Sequence, residues 1–216
     1  MSSQGRLSSE IYTALKHQLL EGEHQPGERI SVEALKSEFG VSKQPIMDAL
    51  RQLATEDFVE IKPQIGCVVR EYSESDRADF FELFAVLEGT VAGRASLNAT
   101  DEQIRQLEAT EMEINAIVAD PDLSLRAHEY RRLNRSFHEL VYQMSGSDIM
   151  ANITRRLWDL SDFLVNTSGS QLPFGAATAQ RHKEHMSVLG AIKKRDAAEA
   201  TRLMSQHIST TATLAK

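Results

Sequence analysis

The apolar residues of the first third of the chain recur every three or four positions, as they do along one face of an α-helix. This pattern predicts a helix within 6–22 and a second within 32–39, which Ser31 caps. Ser42 is predicted to cap a third helix, which carries a proline in its first turn. The stretch 58–71 then contains two β-rich runs around a turn, which predicts a hairpin. These elements together are typical of a winged helix-turn-helix, in which the helix after the turn docks on DNA.

The chain after residue 75 has a helical pattern throughout, and no strand is predicted there. The six predicted helices are 75–97, 101–119, 123–144, 148–168, 179–195 and 196–214. A loop that contains Gly169, Pro173 and Gly175 separates the fourth helix from the fifth. Six consecutive helices favour an antiparallel all-helical bundle. The predicted fold class is therefore mainly α, with an N-terminal winged helix-turn-helix in 1–72 followed by a helical bundle in 76–216.

The charge and the cysteine content restrict the environment and the partners. The net charge of −7 argues mildly against nucleic acid as a partner, so any DNA-binding face has to be a local basic patch. The single cysteine, Cys67, excludes an intramolecular disulfide and fits a reducing compartment. The polar N-terminus predicts no signal peptide, and no apolar run approaches the roughly 20 residues that span a bilayer. The sequence therefore predicts a cytoplasmic protein without a membrane segment.

The third predicted helix carries the side chains that could read DNA. Spacings of three and four place five of them in one line on its outer face: Lys43, Gln44, Met47, Asp48 and Arg51. Lysine and arginine supply the cations that bind phosphates, and bases are read by hydrogen bonds and apolar contacts in the grooves. The predicted wing adds Lys62 and the backbone at Gly66.

Residues 33–69 resemble the N-terminal domain of the GntR family of bacterial transcription regulators. The positions in step with the family pattern are Gly40, Val41, Ser42, Pro45, Ala49, Leu50, Arg51, Leu53, Val59 and Gly66. Two residues depart from that pattern. Lys43 replaces an arginine, which keeps the charge but loses the bidentate fork. Met47 replaces an arginine that the family uses against DNA.

The resemblance implies that the chain binds double-stranded operator DNA. The implied DNA-binding residues are Ser42, Lys43, Gln44, Met47, Arg51, Lys62 and Gly66. A thioether donates no hydrogen bond to a guanine edge but packs on a thymine methyl group, so Met47 is expected to alter base preference rather than abolish binding. The alternative interpretation is a degenerate helical protein that no longer binds DNA and keeps this domain as a structural or protein-binding module.

Three histidines lie on or beside the apolar stripes of three predicted bundle helices: His138, His185 and His207. Asn134 lies one turn before His138, along the same edge. A buried polar group without a partner costs roughly 1–3 kcal/mol, so these groups need partners. A shared metal ion would satisfy all three histidines, since neutral imidazole is a good ligand. Histidines hydrogen-bonded within the core are the alternative, and the spacing alone leaves both open.

Two segments of the bundle, 133–150 and 184–208, resemble the FCD effector domain of the FadR subgroup of the GntR family. With six helices rather than seven, the domain is similar to that of the vanillate regulators. The resemblance implies a divalent metal, zinc or nickel, inside the bundle, with a small carboxylic acid effector docked against it. The implied metal ligands are Asn134, His138, His185 and His207. The resemblance also implies a homodimer, which matches the paired half-sites of operators.

Two departures from the FCD pattern affect the implied effector site. Asn134 stands where many members have aspartate, and a neutral amide oxygen is a weaker ligand for a hard cation. Phe84 stands where many members have an arginine, whereas Glu88 is kept. A more apolar or aromatic acid is therefore expected as the effector. Phe84, Glu88 and Trp158 are the candidate pocket residues, and His182 is expected to be exposed.

A metal-dependent hydrolase is a second interpretation of the histidines, because three imidazoles and an open coordination position are the ingredients of a hydrolytic zinc site. Hydrolysis also needs a general base beside the metal-bound water. The chain has no H-E-x-x-H sequence, and Glu139 directly follows His138 and so points to the side. A DNA-reading helix also has no use in such an enzyme. The sequence therefore predicts a ligand-responsive transcription regulator and not an enzyme.

Overall fold

The computed structural model describes residues 3–168 and 173–213, in which it has nine α-helices and three β-strands. The contacts between residues divide the chain into two units. The first unit is Met1–Ser73 with Asp159–Thr167, and the second is Glu74–Trp158 with Ser168–Lys216. Among the described residues, no helix combines the length and the apolar character needed to cross a membrane.

The first unit contains three helices that the sequence predicted, α1 (Ser3–Leu20), α2 (Val32–Phe39) and α3 (Lys43–Thr55). α1 and α3 are in contact, and each buries its apolar stripe in the core of the unit. Leu15 of α1 and Leu50 of α3 are both fully buried. The apolar stripe of α3 leaves the opposite face of that helix open, which is the face predicted to read DNA.

Three residues at the ends of α2 and α3 determine where these helices begin and end. The Ser31 hydroxyl accepts a hydrogen bond of 3.2 Å from the backbone N–H of Ala34, which is the predicted cap of α2. Gly40 ends α2 in the left-handed conformation with φ 63°, which glycine adopts without strain. Ser42 has the extended backbone of a cap, but its side chain makes no capping hydrogen bond. The prediction that the Ser42 side chain caps α3 is therefore wrong, and Ser42 is exposed to solvent.

Three strands form a small antiparallel sheet in the order β1-β3-β2: β1 (Arg29–Ile30), β2 (Val59–Lys62) and β3 (Gly66–Val69). β2 and β3 are the predicted hairpin, and they pair so that Lys62 lies opposite Gly66. β1 comes from the short extended segment between α1 and α2 and covers the free edge of β3. The first unit is thus a winged helix, with the hairpin as its wing.

One stretch of the first unit comes from far along the chain. Helix α7 (Asp148–Asn166) begins in the second unit, but residues 159–167 group with the first. Phe163 packs its ring edge-on against Phe58 at 5.5 Å. The carboxylate of Asp159 lies 2.7 Å from the ammonium of Lys16. The sequence placed these residues in the helical domain, since a local pattern does not reveal which distant residues a helix contacts.

The other helices of the second unit are α4 (Glu74–Asn98), α5 (Asp101–Val118), α6 (Leu123–Ser145), α8 (Pro173–Lys193) and α9 (Ala197–Thr211). Together with the start of α7 they give the six predicted helices, and the described part of this unit contains no strand. α8 begins at Pro173, six residues earlier than predicted. The predicted loop is therefore wrong at Pro173 and Gly175, while Gly169 lies outside the described residues. A proline is favourable at the first position of a helix, where its missing N–H costs nothing.

The closest helix contact of the second unit joins α4 to α9. Two glycines of α4, one turn apart, face α9 at Thr201 and Ser205. A Cβ atom at Gly89 would lie 2.8 Å from the carbonyl oxygen of Thr201 and still closer to the hydroxyl of Ser205. At Gly93 it would meet the hydroxyl of Thr201. The two glycines therefore permit a spacing between these helices that no larger residue would allow.

Candidate metal centre and DNA-reading face

Three histidines from three helices meet in the interior of the second unit: His138 of α6, His185 of α8 and His207 of α9. Each side chain is at most 1% exposed. One ring nitrogen from each lies within 4.8 Å of those of the other two, and the Nε2 atoms of His185 and His207 are 3.1 Å apart. The structure thus brings together the three histidines that the sequence singled out.

A carboxylate holds the Nδ1 atom of each histidine. The pairs are His138 with Glu88 at 3.0 Å, His185 with Glu111 at 2.9 Å and His207 with Glu184 at 2.9 Å. Nδ1 is assigned as the protonated nitrogen in His138 and His207, because the carboxylates of Glu88 and Glu184 accept the hydrogen bond, whereas Glu111, whose pKa is raised to about 8, can itself hold the proton that it shares with His185. The Nε2 atoms, each on the far side of its ring from the acid, are the nitrogens that could bind a metal. A carboxylate behind an imidazole in this way is the usual arrangement around a metal-bound histidine.

The interior position determines the charge of the histidines. Burial lowers the pKa of His138, and it lowers the pKa of His185 and of His207 well below the ordinary value. The rings are therefore neutral at physiological pH. The Nε2 atoms of His185 and His207, 3.1 Å apart, are close enough to bind one cation together. The Nε2 atom of His138 is buried and has no hydrogen-bond partner among the described residues. This donor set fits a divalent metal, and no other group in the described interior uses that nitrogen.

The carboxylate of Glu88 lies in a cluster of aromatic side chains. Besides His138 it accepts hydrogen bonds from the indole N–H of Trp158 at 2.9 Å and from the hydroxyl of Tyr142. Phe84 packs its ring edge-on against Trp158 at 5.4 Å. The three residues predicted to line an effector pocket therefore lie side by side. Both oxygens of Glu88 are engaged by protein donors, so this carboxylate holds His138 in place.

Asn134, the fourth predicted ligand, is buried one turn before His138 on α6. Its side-chain oxygen accepts a hydrogen bond of 3.0 Å from the hydroxyl of Tyr130. A carbonyl oxygen has two lone pairs, so this bond leaves one for a second partner. The Asn134 side chain can therefore offer an uncharged oxygen as a ligand beside His138.

Glu111 of α5 connects the centre to an open groove. Its second oxygen lies 2.8 Å from Nδ1 of His182, and burial raises the pKa of Glu111 to about 8. The groove has a volume of about 650 Å³ and is lined by residues of α5 and α8 that include Glu111, His182 and Met186. His182 was expected to be exposed, but it is only 16% exposed at its side chain. That expectation is wrong because Glu111 draws the imidazole against the protein.

An arginine that the sequence interpretation missed lies against the centre. Arg181 is 3% exposed, and its Nη2 atom lies 3.0 Å from Nε2 of His207. The signal was present in the sequence, because Arg181 precedes His185 by four residues and so shares its face of α8. Glu111 and Glu184 were missed as well. Glu184 directly precedes His185 in the sequence, whereas the sequence does not reveal that Glu111 of α5 lies beside the histidines.

The outer face of α3 presents the predicted DNA-reading side chains. Lys43, Gln44 and Arg51 are exposed, and Met47 and Asp48 are half-buried between them. One oxygen of Asp48 accepts hydrogen bonds from Gln44 at 3.0 Å and from Arg51 at 2.9 Å. The arginine on this face is thus paired with an acid of the same helix. The net positive charge of the face is consequently small.

The wing carries its cation in a similar pair. The ammonium of Lys62 lies 3.0 Å from the carboxylate of Glu60 on the same strand. Gly66, opposite Lys62, has φ 103°, a conformation that favours glycine. The side chain of Ile65 at the tip is half exposed. Both the helix and the wing therefore offer DNA a cation that is already paired with an acid.

A winged helix followed by an all-helical bundle is an architecture typical of DNA-binding transcription regulators. Comparison with known families supports this class over both parts of the chain. Residues 7–69 match the family described as bacterial regulatory proteins of the gntR family, and residues 79–210 match the FCD domain. The chain therefore belongs to the GntR family of transcription regulators with a C-terminal FCD domain. The resemblance inferred from the sequence is confirmed.

Individual proteins agree with this assignment. The chain is 26% identical to the HTH-type transcriptional repressor GlaR of Escherichia coli over 204 residues, which cover 92% of this chain and 91% of GlaR. It is also 26% identical to the Uxu operon regulator of Haemophilus influenzae, over 94% of this chain and 79% of that protein. The solved structure of E. coli McbR/YncC has the same fold, with a TM-score of 0.79 and 19% identity. The match covers 100% of this chain and 98% of that one. GlaR and the Uxu operon regulator are named as regulators, in agreement with a regulator rather than an enzyme.

Proposed function

We propose that the helical domain of this regulator holds a divalent metal and binds a small carboxylic acid at it, and that this acid controls DNA binding. The observation that carries the proposal is the convergence of three buried Nε2 atoms, each on a ring whose Nδ1 is held by a carboxylate. Three neutral nitrogen donors in a fixed orientation have little use in a core that lacks a cation.

The ligand types favour zinc or nickel. Imidazole nitrogen suits both metals, and three histidines leave further coordination positions for an oxygen of Asn134 or of an effector. The metal would supply a Lewis-acidic positive centre to which a carboxylate oxygen binds. Because Asn134 is neutral, the protein ligands themselves bring no negative charge, and the metal keeps its full charge for the effector.

The surroundings favour an acid with an apolar or aromatic body. Phe137 stacks on the ring of His185 with centroids 3.9 Å apart. Trp158 lies 4.3 Å from the ring of His138, and Phe84 is fully buried behind it. Aromatic side chains bury the body of a ligand of this kind and contribute specific ring contacts. Thermal melting with a panel of acids from acetate to benzoate, each with and without metal, tests this point.

We also propose that the protein is a homodimer that pairs through the exposed apolar faces of α4 and α7. Leu83 and Val86 of α4 are 65% and 62% exposed, and Ile149 of α7 is 74% exposed. Leu83 and Val86 lie three residues apart and so share one face of α4, and exposed apolar side chains that lie side by side indicate an interaction site. Two reading helices are also needed for an operator with two half-sites.

The dimer is expected to dissociate when the α4 face is charged. Val86→Glu would bury a carboxylate without a partner in a paired interface, so the dissociation constant should rise by about a hundredfold or more. Analytical ultracentrifugation over a range of protein concentrations measures this change. Met112→Glu, at a residue that is 69% exposed on α5, is the matched control and should leave the dimer intact. An unchanged dimer in Val86→Glu would place the interface elsewhere.

DNA binding is proposed to use the face of α3 and the wing, with Arg51 and Lys43 as its main cations on the helix. Arg51→Ala is expected to weaken binding by roughly tenfold or more, because it removes a cation and leaves Asp48 unpaired against the phosphates. Fluorescence anisotropy on DNA selected with the wild-type protein measures the affinity. Arg105→Ala, which removes an exposed arginine of α5 that is paired in the same way, is the control. Unchanged affinity in both Arg51→Ala and Lys43→Ala would support the degenerate alternative.

A further inference from the structure

The guanidinium of Arg181 has hydrogen-bond partners at both terminal nitrogens but none at Nε among the described residues. Its Nη1 donates to the backbone oxygen of His207 at 2.7 Å, and its Nη2 donates to the hydroxyl of Thr211 at 2.6 Å. The same Nη2 lies 3.0 Å from Nε2 of His207. Its Nε is buried and has no hydrogen-bond partner within the described part of the chain. This buried cation therefore has one N–H donor, at Nε, that makes no hydrogen bond to the described residues.

The charge of Arg181 is also incompletely balanced. The nearest carboxylate is that of Glu184, 3.2 Å from Nη1. The same oxygen of Glu184 accepts the Nδ1 hydrogen of His207 at 2.9 Å. A buried cation that shares its anion with a second donor has room for another anion, because burying an uncompensated charge is costly.

The bond from Arg181 to His207 cannot persist when His207 binds a metal. The Nε2 atom of a neutral imidazole has one lone pair, which either accepts a hydrogen bond or coordinates a cation. Coordination at this atom therefore releases the Nη2–H of Arg181 that points to it. Nε and Nη2 form one edge of a guanidinium, so the released Nη2 and the unpartnered Nε–H can together bind both oxygens of a carboxylate.

We propose that Arg181 is the residue that binds the carboxylate of the effector, and that metal coordination by His207 frees its fork for this purpose. The inference rests on the proposed metal centre. It assigns the specificity for an anion to α8. On the first bundle helix, α4, the buried, apolar Phe84 stands where many FCD domains have an arginine. Without metal the guanidinium binds to His207 and competes with the metal for its lone pair, so metal and carboxylate support each other's binding.

Zinc affinity with and without benzoate tests the proposal on the full chain. Wild-type protein competes for Zn²⁺ with a chromophoric chelator, and saturating benzoate is expected to raise its apparent zinc affinity about fivefold or more. Arg181→Met is expected to bind zinc about tenfold more tightly than the wild type without benzoate, because a neighbouring positive charge and a competing donor are gone. In this variant benzoate should change the zinc affinity by less than about twofold.

Two further variants separate the fork from the charge. Arg181→Lys keeps a cation but has no planar fork, so it should bind zinc about as weakly as the wild type while losing most of the benzoate effect. Arg202→Gln removes an exposed arginine of α9 and should behave as the wild type in both respects. Circular dichroism at the assay temperature checks that each variant is folded. If Arg181→Met is unfolded, Arg181→Lys alone carries the test of the fork.

Three outcomes would overturn the proposal, and they differ from a failure of the metal centre. A full benzoate effect in folded Arg181→Met or Arg181→Lys would mean that the metal alone holds the acid. Unchanged zinc affinity in Arg181→Met would mean that the arginine does not compete for His207. Zinc binding that no acid from acetate to benzoate affects in the wild type would also overturn it, with the metal centre intact. If neither the wild type nor Arg181→Met binds zinc, the metal centre itself fails and the inference fails with it.

Discussion

Removal of the metal is expected to lower the melting temperature of the helical unit by about 5–10 °C. A ligand present at a hundred times its dissociation constant stabilises a folded protein by about 2.7 kcal/mol, and each kcal/mol shifts the melting temperature of a chain of this size by about 2–4 °C. Differential scanning calorimetry of the zinc-loaded protein, before and after treatment with a chelator, measures the shift. Restoring zinc should restore the melting temperature.

The physical reason lies in the three Nε2 atoms. Without metal, the Nε2 atoms of His185 and His207 crowd together at 3.1 Å, and Nε2 of His138 has no hydrogen-bond partner among the described residues. Desolvation makes the alternative of protonating the rings unfavourable, since burial lowers their pKa values. A metal removes both defects at once. The stabilisation should therefore be lost when one of the three ligands is removed.

His185→Ala should abolish the response of the melting temperature to chelator, and the purified variant should contain little metal by elemental mass spectrometry. The metal content is an independent measurement, so a general loss of stability in this variant does not hide the result. His128→Ala is the matched control, because His128 is an exposed histidine on the same helix as His138. A metal-free wild type whose melting temperature is indifferent to zinc and chelator would contradict the proposed centre. The histidines would then be hydrogen-bonded core residues.

The elements of the fold follow from local patterns, which is why the sequence predicted most of them. The apolar period of α3, the Ser31 cap of α2 and the turn in the wing are each encoded by residues a few positions apart. The start of α8 is different, because Pro173 and Gly175 favour a loop and a helix start equally well in sequence. The packing of residues 159–167 with the first unit depends on contacts with distant residues such as Phe58, which no local pattern encodes.

The sequence predicted the histidines, Asn134 and Glu88 of the candidate site, but not Glu111, Glu184 or Arg181. The histidines stand on apolar stripes, where a polar side chain is conspicuous, and the family pattern adds to that signal. The carboxylates that orient them come from α4, α5 and α8. Glu111 and Glu184 look like ordinary surface acids in a chain with many acids. Their roles depend on which helices are neighbours, and that is a property of the tertiary structure.

The close contact between α4 and α9 predicts the largest effect of a single substitution on stability. Gly89→Val is expected to destabilise the helical unit by about 3 kcal/mol, because its Cβ atom would collide with the backbone oxygen of Thr201 and the hydroxyl of Ser205. That hydroxyl donates to the carbonyl of Ala85 at 2.9 Å, so moving it would also cost a hydrogen bond. The backbone oxygen cannot rotate away as a side chain can, and the helices must separate.

Gly190→Ala provides the control for this substitution within the same unit. Gly190 also lies inside a helix, α8, but a Cβ atom there meets nothing within 4 Å. Alanine at this position should stabilise the protein by about 0.5–1 kcal/mol, because it is the better helix former. Urea denaturation followed by circular dichroism compares the two variants with the wild type. Equal and small effects of the two substitutions would mean that α4 and α9 are not held at the spacing that Gly89 permits.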